Sequence, residues 1–281
     1  MLCSRVRLEE KLIFQALRKR GVAFERIDAR KVAFDLNDVT PGEYDVILVR
    51  CVSHSRSLYA ARILHMQGIR TVNSYEVIAV CGDKVFTTLA LLDHGIPTPR
   101  TAITFSEESA LTAIEGMGYP VVSKPPVGSW GRLMSKINDR QAAETVLEHK
   151  RALDKSQDTP FYLQEYIAKA GRDIRTLVVG DETVYAVYRN SHHWITNTAR
   201  GGGTSGIPLT PGDEIDRLSR AAAEAVGGEI VAVDILETLD GSLLVNEVNH
   251  TPEFHGAMQA TDADIAGKMV DYVLKVAREG K

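Results

Sequence analysis

Apolar positions along this chain follow a helical and a strand period in turn, which predicts alternating elements and an α/β fold. Leu8, Leu12, Ile13, Ala16 and Leu17 share one helical face over 8–20, and Gly21 follows as a stop. The run 45–49 reads as a buried strand, 57–67 as the crossover helix behind it, and Thr71-Val72 as the next strand. A helix over 83–94 ends at Gly95, and Pro97 and Pro99 beyond it mark a boundary. Then come a strand (101–105), a helix capped by Ser106, a strand (119–124), a glycine loop (128–132), another strand and a helix (139–150). The remainder alternates strands with a helix introduced by Thr210-Pro211 and closes on a helix over 264–278.

A length of 281 residues implies about two domains, or three closely packed subdomains, the first ending near residue 80. The net charge of −4 argues against a protein devoted to nucleic acid. No apolar run is long enough to predict a membrane span, and the N-terminus turns charged too soon for a secretory signal. Cys3, Cys51 and Cys81 stand apart without a CxxC pair, which predicts cytoplasmic usage and no disulfide framework. Cys51 with His54 would make half of a metal site, but no second half is in sight, so a loop after a strand is expected there.

Two strand-like runs, 229–237 and 242–249, flank Asp240-Gly241, a dipeptide suited to a two-residue hairpin turn. Such a loop pairs Asp234 with Glu247 and leaves Asn249 two residues along on the same face. Like charges so placed repel, and more strongly where apolar neighbours imply burial. A hard divalent cation would remove the conflict, because carboxylate and amide oxygens suit Mg²⁺ with phosphate oxygens completing its shell. An exposed acidic face, or a carboxylate held by an arginine, would remove it too, and a one-residue bulge would spoil the pairing.

The loop Gly128-Ser129-Trp130-Gly131-Arg132 follows a strand that ends in Ser123-Lys124-Pro125. Glycines let backbone N–H groups approach phosphate oxygens, and Lys124 and Arg132 add charge. It is not a Walker A loop, since no Lys-Ser or Lys-Thr follows the second glycine. Arg172 and Arg175 fall on a strand or its approach, where ordinary ion pairing is the alternative. Residues 197–203 gather an amide, a guanidinium and three glycines in one loop.

Taken in order, Lys84, Ser123-Lys124-Pro125, the 128–132 loop, Gln164-Glu165-Tyr166-Ile167, Gly171 to Arg175, Asn197 and Asn246-Glu247-Val248-Asn249 resemble the ATP-grasp enzymes. Within them the chain is similar to the LysX/ArgX group, relatives of RimK. The resemblance implies a Rossmann-like preATP-grasp domain (1–80), a connecting helix with a central lid domain (81–165), and a C-terminal domain with the metal site (166–281). It implies an ATP-dependent carboxylate–amine ligase that uses two Mg²⁺ ions, replaceable by Mn²⁺. Such an enzyme joins the α-amino group of glutamate or 2-aminoadipate to the C-terminal glutamate of a small acidic carrier protein (LysW-like), in lysine or arginine biosynthesis. A cytoplasmic homodimer or homotetramer without nucleic-acid or membrane partners is expected.

Carried over residue by residue, the resemblance gives Lys84 and Lys124 to the ATP phosphates and 128–132 to the lid above them. Gln164, Glu165, Tyr166 and Ile167 would hold adenine, mostly through backbone, with Arg172, Asp173, Arg175 and Asn197 also on the nucleotide side. Asp234, Glu247 and Asn249 match the Mg²⁺ ligands. Arg189, Asn197, Thr198, Ala199, Arg200, Thr251, Glu253, Phe254, Gly256 and Ala257 match the acyl-phosphate and amino-acid region, with Arg189 and Arg200 as stabilisers of the tetrahedral species. The sequence departs from the group twice. The first strand is short unless the start lies upstream, and His255-Gly256-Ala257 matches neither substrate motif. Rival readings are a ligase acting on a small peptide or cofactor and a non-catalytic nucleotide-binding module.

Overall fold

The computed structural model describes residues 1–37, 43–128, 130–153, 159–196 and 202–279. Strands β1 (Leu2–Cys3) and β2 (Ile27–Asp28) pair in parallel, as do β3 (Ile47–Leu48) and β4 (Thr71–Val72), and a bridge from Leu2 to Val49 joins the two pairs. The helices α1 (Leu8–Lys19) and α2 (His54–Met66) connect them. The apolar stripe of α1 is rotated from expectation: Leu8 is exposed, while Phe14 joins Ile13, Ala16 and Leu17 in the core. The periodicity of 57–67 missed the first turn of α2, and it missed α3 (Tyr75–Gly82) altogether. Ser74 caps α3 through Val77 N–H, and Asp83 caps α4 (Lys84–Asp93) through Val85 N–H.

The middle of the chain forms an antiparallel sheet in the order β5-β8-β6-β7, built from β5 (Thr101–Thr104), β6 (Val121–Lys124), β7 (Ser135–Ile137) and β8 (Phe161–Glu165). Ile114 of α5 (Glu107–Met117) and Leu147 of α6 (Arg140–Leu153) share one core with Val121, Ile137 and Leu163 of that sheet. As expected, Ser106 caps α5, accepting from Ser109 N–H.

A second antiparallel sheet, in the order β11-β10-β9-β12-β13, comprises β9 (Arg172–Val179), β10 (Glu182–Asn190), β11 (Thr204–Ile207), β12 (Ile230–Glu237) and β13 (Leu243–Asn249). Each of its faces buries a different core. One holds Val77 of α3, Leu91 of α4 and Ile96 just beyond it, with Ala222 of α7 (Glu214–Ala225) and Val226, the residue that follows α7. The other packs α1 against α8 (Ile265–Glu279) over Leu177, Tyr185 and Val187. Burial on both sides explains the unbroken apolar run at the start of β12, where an alternating pattern would mark a half-exposed strand. Parallel pairing is thus confined to the first 72 residues, and the later chain is antiparallel.

Candidate active site

A cleft of about 280 Å³ opens where the two antiparallel sheets and the first part of the chain meet. Among the described residues seven Lys or Arg side chains and five Asp or Glu line it, a positive balance in a chain whose net charge is −4. That polarity suits a polyanion.

Asp234 and Glu247 do face each other across β12 and β13, by a route the turn chemistry did not foretell. Thr238 N–H donates to the Ser242 carbonyl at 2.9 Å, so the loop is three residues (239–241), with Gly241 at φ +88°. Pairs next to the loop, Glu237 with Leu243 through Ile235 with Val245, are therefore one residue out of the expected register. A bulge at Asn246 inserts the missing residue and restores the pairing at Asp234–Glu247 and Ala232–Asn249. The bulge turns Asn246 into the cleft beside Glu247, where its Oδ1 accepts from Lys124 Nζ at 2.8 Å.

Asp234 is not the unpaired carboxylate that the repulsion argument assumed. Arg175, directly opposite on β9, holds both its oxygens at 2.7 Å, and Arg189 approaches Oδ2 at 3.2 Å. Arg189 in turn holds both oxygens of Asp173 at 2.7 Å. Burial pushes the Asp234 carboxyl up, but the two guanidiniums outweigh it and hold the group well below the usual carboxylate range. Burial likewise works against charge on Arg189, and the Asp234 and Asp173 carboxylates raise it instead. No set of three or more His, Cys, Asp or Glu fit for a metal exists among the described residues. Asp234, Glu247 and Asn249 nevertheless offer hard oxygen donors that leave most of a shell to phosphate and water, which fits Mg²⁺.

The opposite wall is built differently. Lys124, only 4% exposed at the end of β6, donates to Gln164 Oε1 and Asn246 Oδ1, both neutral amides. Burial lowers it to about 8, opposed by Glu247 and reinforced by Lys84 and Lys169. Lys84, first residue of α4, donates to the Gly128 carbonyl at 2.7 Å and so tethers the glycine loop. Trp130 and Gly131 take φ of +60° and +62°, and a Cβ on Gly131 would come within 2.8 Å of Ile195. Arg132 lies 5.0 Å over the Trp130 ring. Glu165 is bound by Arg100 N–H at 2.6 Å, and Lys136 stands 3.8 Å over the Tyr166 ring.

Several expected contacts fall elsewhere. Arg172 pairs with Glu237 at 2.8 Å and covers Tyr188, away from the cleft lining, so ordinary ion pairing is what it does here. Phe254 and Ala257 are core residues, and the Gly256 carbonyl accepts from Thr204, so of that segment only Thr251, Pro252 and Glu253 reach the cleft. Ser129, Asn197, Thr198, Ala199 and Arg200 lie outside the described residues. Sequence reasoning missed Lys169, which donates to Thr196 at 2.7 Å, and Thr196, which donates to Asp173. It also missed Arg7 and His250, and it weighed His54 only as half of a metal site; all three line the cleft. Nothing local marks these, whereas Asn246 stood in a quoted motif without a role.

The family model for the RimK-like ATP-grasp domain matches residues 81–273, and that for the LysX preATP-grasp domain matches 1–80. The chain belongs to the RimK-like ATP-grasp family. Members of this family are ATP-dependent carboxylate–amine ligases that use Mg²⁺, and this RimK-like chain has their ATP-grasp fold. It is 40% identical over 270 residues, 95% of each chain, to the glutamate–LysW ligase ArgX of Sulfurisphaera tokodaii. It is 34% identical to the α-aminoadipate–LysW ligase LysX of Saccharolobus solfataricus, over 92% of this chain and 94% of that protein. Among solved structures, a RimK-domain ATP-grasp protein from Sphaerobacter thermophilus superposes with a TM-score of 0.80 at 25% identity, over 97% of this chain and 99% of that one. No helix among the described residues is long and apolar enough to cross a membrane.

Proposed function

We propose that this enzyme joins the α-amino group of an acidic amino acid to the C-terminal glutamate side chain of a LysW-type carrier protein, through an acyl phosphate. The greater similarity to a glutamate–LysW ligase than to an α-aminoadipate one favours glutamate as the amino acid. The observation that carries the chemistry is one cleft holding uncompensated lysines on one wall and an oxygen-donor cluster on the other.

Lys84, Lys124 and Arg132 neutralise charge on the ATP phosphates, and the 128–132 loop covers them and keeps water from the acyl phosphate. The 164–167 segment holds adenine through its backbone. Asp234, Glu247 and Asn249 hold Mg²⁺, two ions in this reading and replaceable by Mn²⁺, which when bound offsets phosphate charge. Arg189, fixed between Asp173 and Asp234, presents a rigid cation beside the reacting group. The carrier's carboxylate takes the γ-phosphoryl group of ATP and ADP leaves. The neutral amine then attacks the acyl carbon, inorganic phosphate leaves, the amine's proton passes to solvent, and no enzyme nucleophile is required. This reading divides the chain at about residues 80 and 165 and places a homodimer or homotetramer in the cytoplasm.

Intact-mass spectrometry of a LysW-type carrier incubated with enzyme, ATP, Mg²⁺ and equal glutamate and 2-aminoadipate tests the reading. The expected product is the glutamyl adduct. An aminoadipyl adduct would reverse the substrate assignment. ADP release without any adduct would favour a small peptide or cofactor as acceptor, and absence of both would sink the catalytic reading.

A further inference from the structure

A protein substrate that delivers a side-chain carboxylate into a cleft must rest its body on the rim. Helix α2 starts at that rim: His54, its first residue, lines the cleft together with Cys51 and Val52. From there Arg56, Tyr59, Arg62 and Met66 follow one exposed stripe at helical spacing, away from the opening for roughly 15–20 Å. Tyr59, between Arg56 and Arg62, and Met66, one turn beyond, are 68% and 61% exposed, so apolar surface lies beside the two cations.

The charge on this face is uncompensated. Helix α2 contains no Asp or Glu, and Arg56 and Arg62 form no ion pair among the described residues. The Arg62 guanidinium carbon stands 4.4 Å over the Tyr75 ring, a contact that helps to order it. Elsewhere in the same part of the chain Arg7, Arg20, Arg26, Arg30, Arg50 and Arg70 each face a carboxylate. Glu76 at the start of α3 acts on His65, at the end of α2 far from the cleft, and Asp83 acts on His54 at the other end. Arg, Tyr and Met are the residue types enriched where proteins bind proteins.

We propose that the exposed face of α2 is the docking surface for the protein substrate, which meets it with a carboxylate-rich segment. The inference rests on the carrier-ligase reading and adds where the carrier sits. Complementary charge there speeds encounter and orients the partner so that its carboxylate enters past His54. A terminal peptide too short to reach α2 gains nothing from the face.

The test compares R56E/R62E with wild type and R56K/R62K, using a LysW-type carrier and a short synthetic peptide of its C-terminus as alternative substrates. The charge-reversed variant is expected to raise KM for the carrier on the order of tenfold or more, with kcat, the KM for ATP and the KM for the peptide unchanged. Its KM for the carrier should also lose the rise with salt that wild type shows. R56K/R62K should stay near wild type, and all three proteins should share one Tm. Wild type that ligates the carrier with a KM untouched in R56E/R62E would overturn the proposal, as would an equal loss with the peptide. A variant that loses subunit association in light scattering, with its carrier KM intact, would assign the face to a second copy and overturn it too. A wild type that ligates neither substrate would instead overturn the ligase reading beneath it.

Discussion

On the five-stranded side of the cleft, Arg175 and Arg189 are each clamped to carboxylates, Asp234 and Asp173, through both carboxylate oxygens. On the other side Lys124 and Lys84 rest on an amide pair and a peptide carbonyl, acceptors without charge. Two kinds of cation therefore share one cavity. Those pairs fix the arginines in the sheet, because a planar fork matched to a carboxylate is strong and directional. The lysines keep a charge that the protein leaves uncompensated, so a phosphate gains most by approaching them.

The largest expected effect comes from breaking the clamped side. Arg189→Met leaves the buried Asp173 carboxylate without its guanidinium, while Asp234 keeps Arg175, and should lower unfolding free energy by about 3–5 kcal/mol, read from the denaturant midpoint. A loss under about 1 kcal/mol with kcat collapsed would move Arg189 from frame to chemistry. Lys124→Met should do the reverse, leaving stability intact while ATP affinity measured by calorimetry falls on the order of tenfold or more. The pH dependence sharpens this contrast. A lysine whose folded pKa is lowered to about 8 binds fewer protons folded than unfolded between about 8 and its usual value. The stability of the ATP-free enzyme should therefore rise with pH across that window, and the rise should shrink in Lys124→Met; an unchanged slope would show that burial does not strain this lysine. Asn246→Ala removes one of the two amide acceptors and should weaken ATP binding by about 0.5–1.5 kcal/mol, with no change in fold by circular dichroism. Smallest of all, Arg172→Ala should cost about 1 kcal/mol or less and leave the KM for ATP within error. A severalfold rise would return Arg172 to the nucleotide.

The hairpin shows how far local chemistry carries. Asp240-Gly241 announced the turn, and alternation put Asp234 and Glu247 on one face, yet the loop is a residue longer than the dipeptide implied and the bulge at Asn246 compensates. A bulge leaves no mark in hydrophobic period, because Asn246 and Glu247 are both polar and both face the cleft. The glycine loop was legible for a different reason: at Gly131 a positive φ coincides with Ile195 leaving no room for a Cβ, so a glycine is required there. Arg172 was misplaced because strand position fixes only which face a side chain takes, and what stands on that face is set by other strands and helices. Phe254 was misplaced because the loop after β13 carries no period that tells core from cleft.

What the sequence determined by itself, then, is what depends on neighbours a few residues apart: most element positions, the caps at Ser106 and Gly95, the glycine loop, and the hairpin that opposes Asp234 to Glu247. Tertiary structure alone decided the electrostatics. Whether Asp234 meets Arg175, whether Lys124 meets a carboxylate or an amide, and whether Arg7 reaches Glu253 at 2.5 Å are matters of contact between segments far apart along the chain. Coulombic and desolvation energies follow distance in space and exclusion of water, and neither is a function of spacing along the chain.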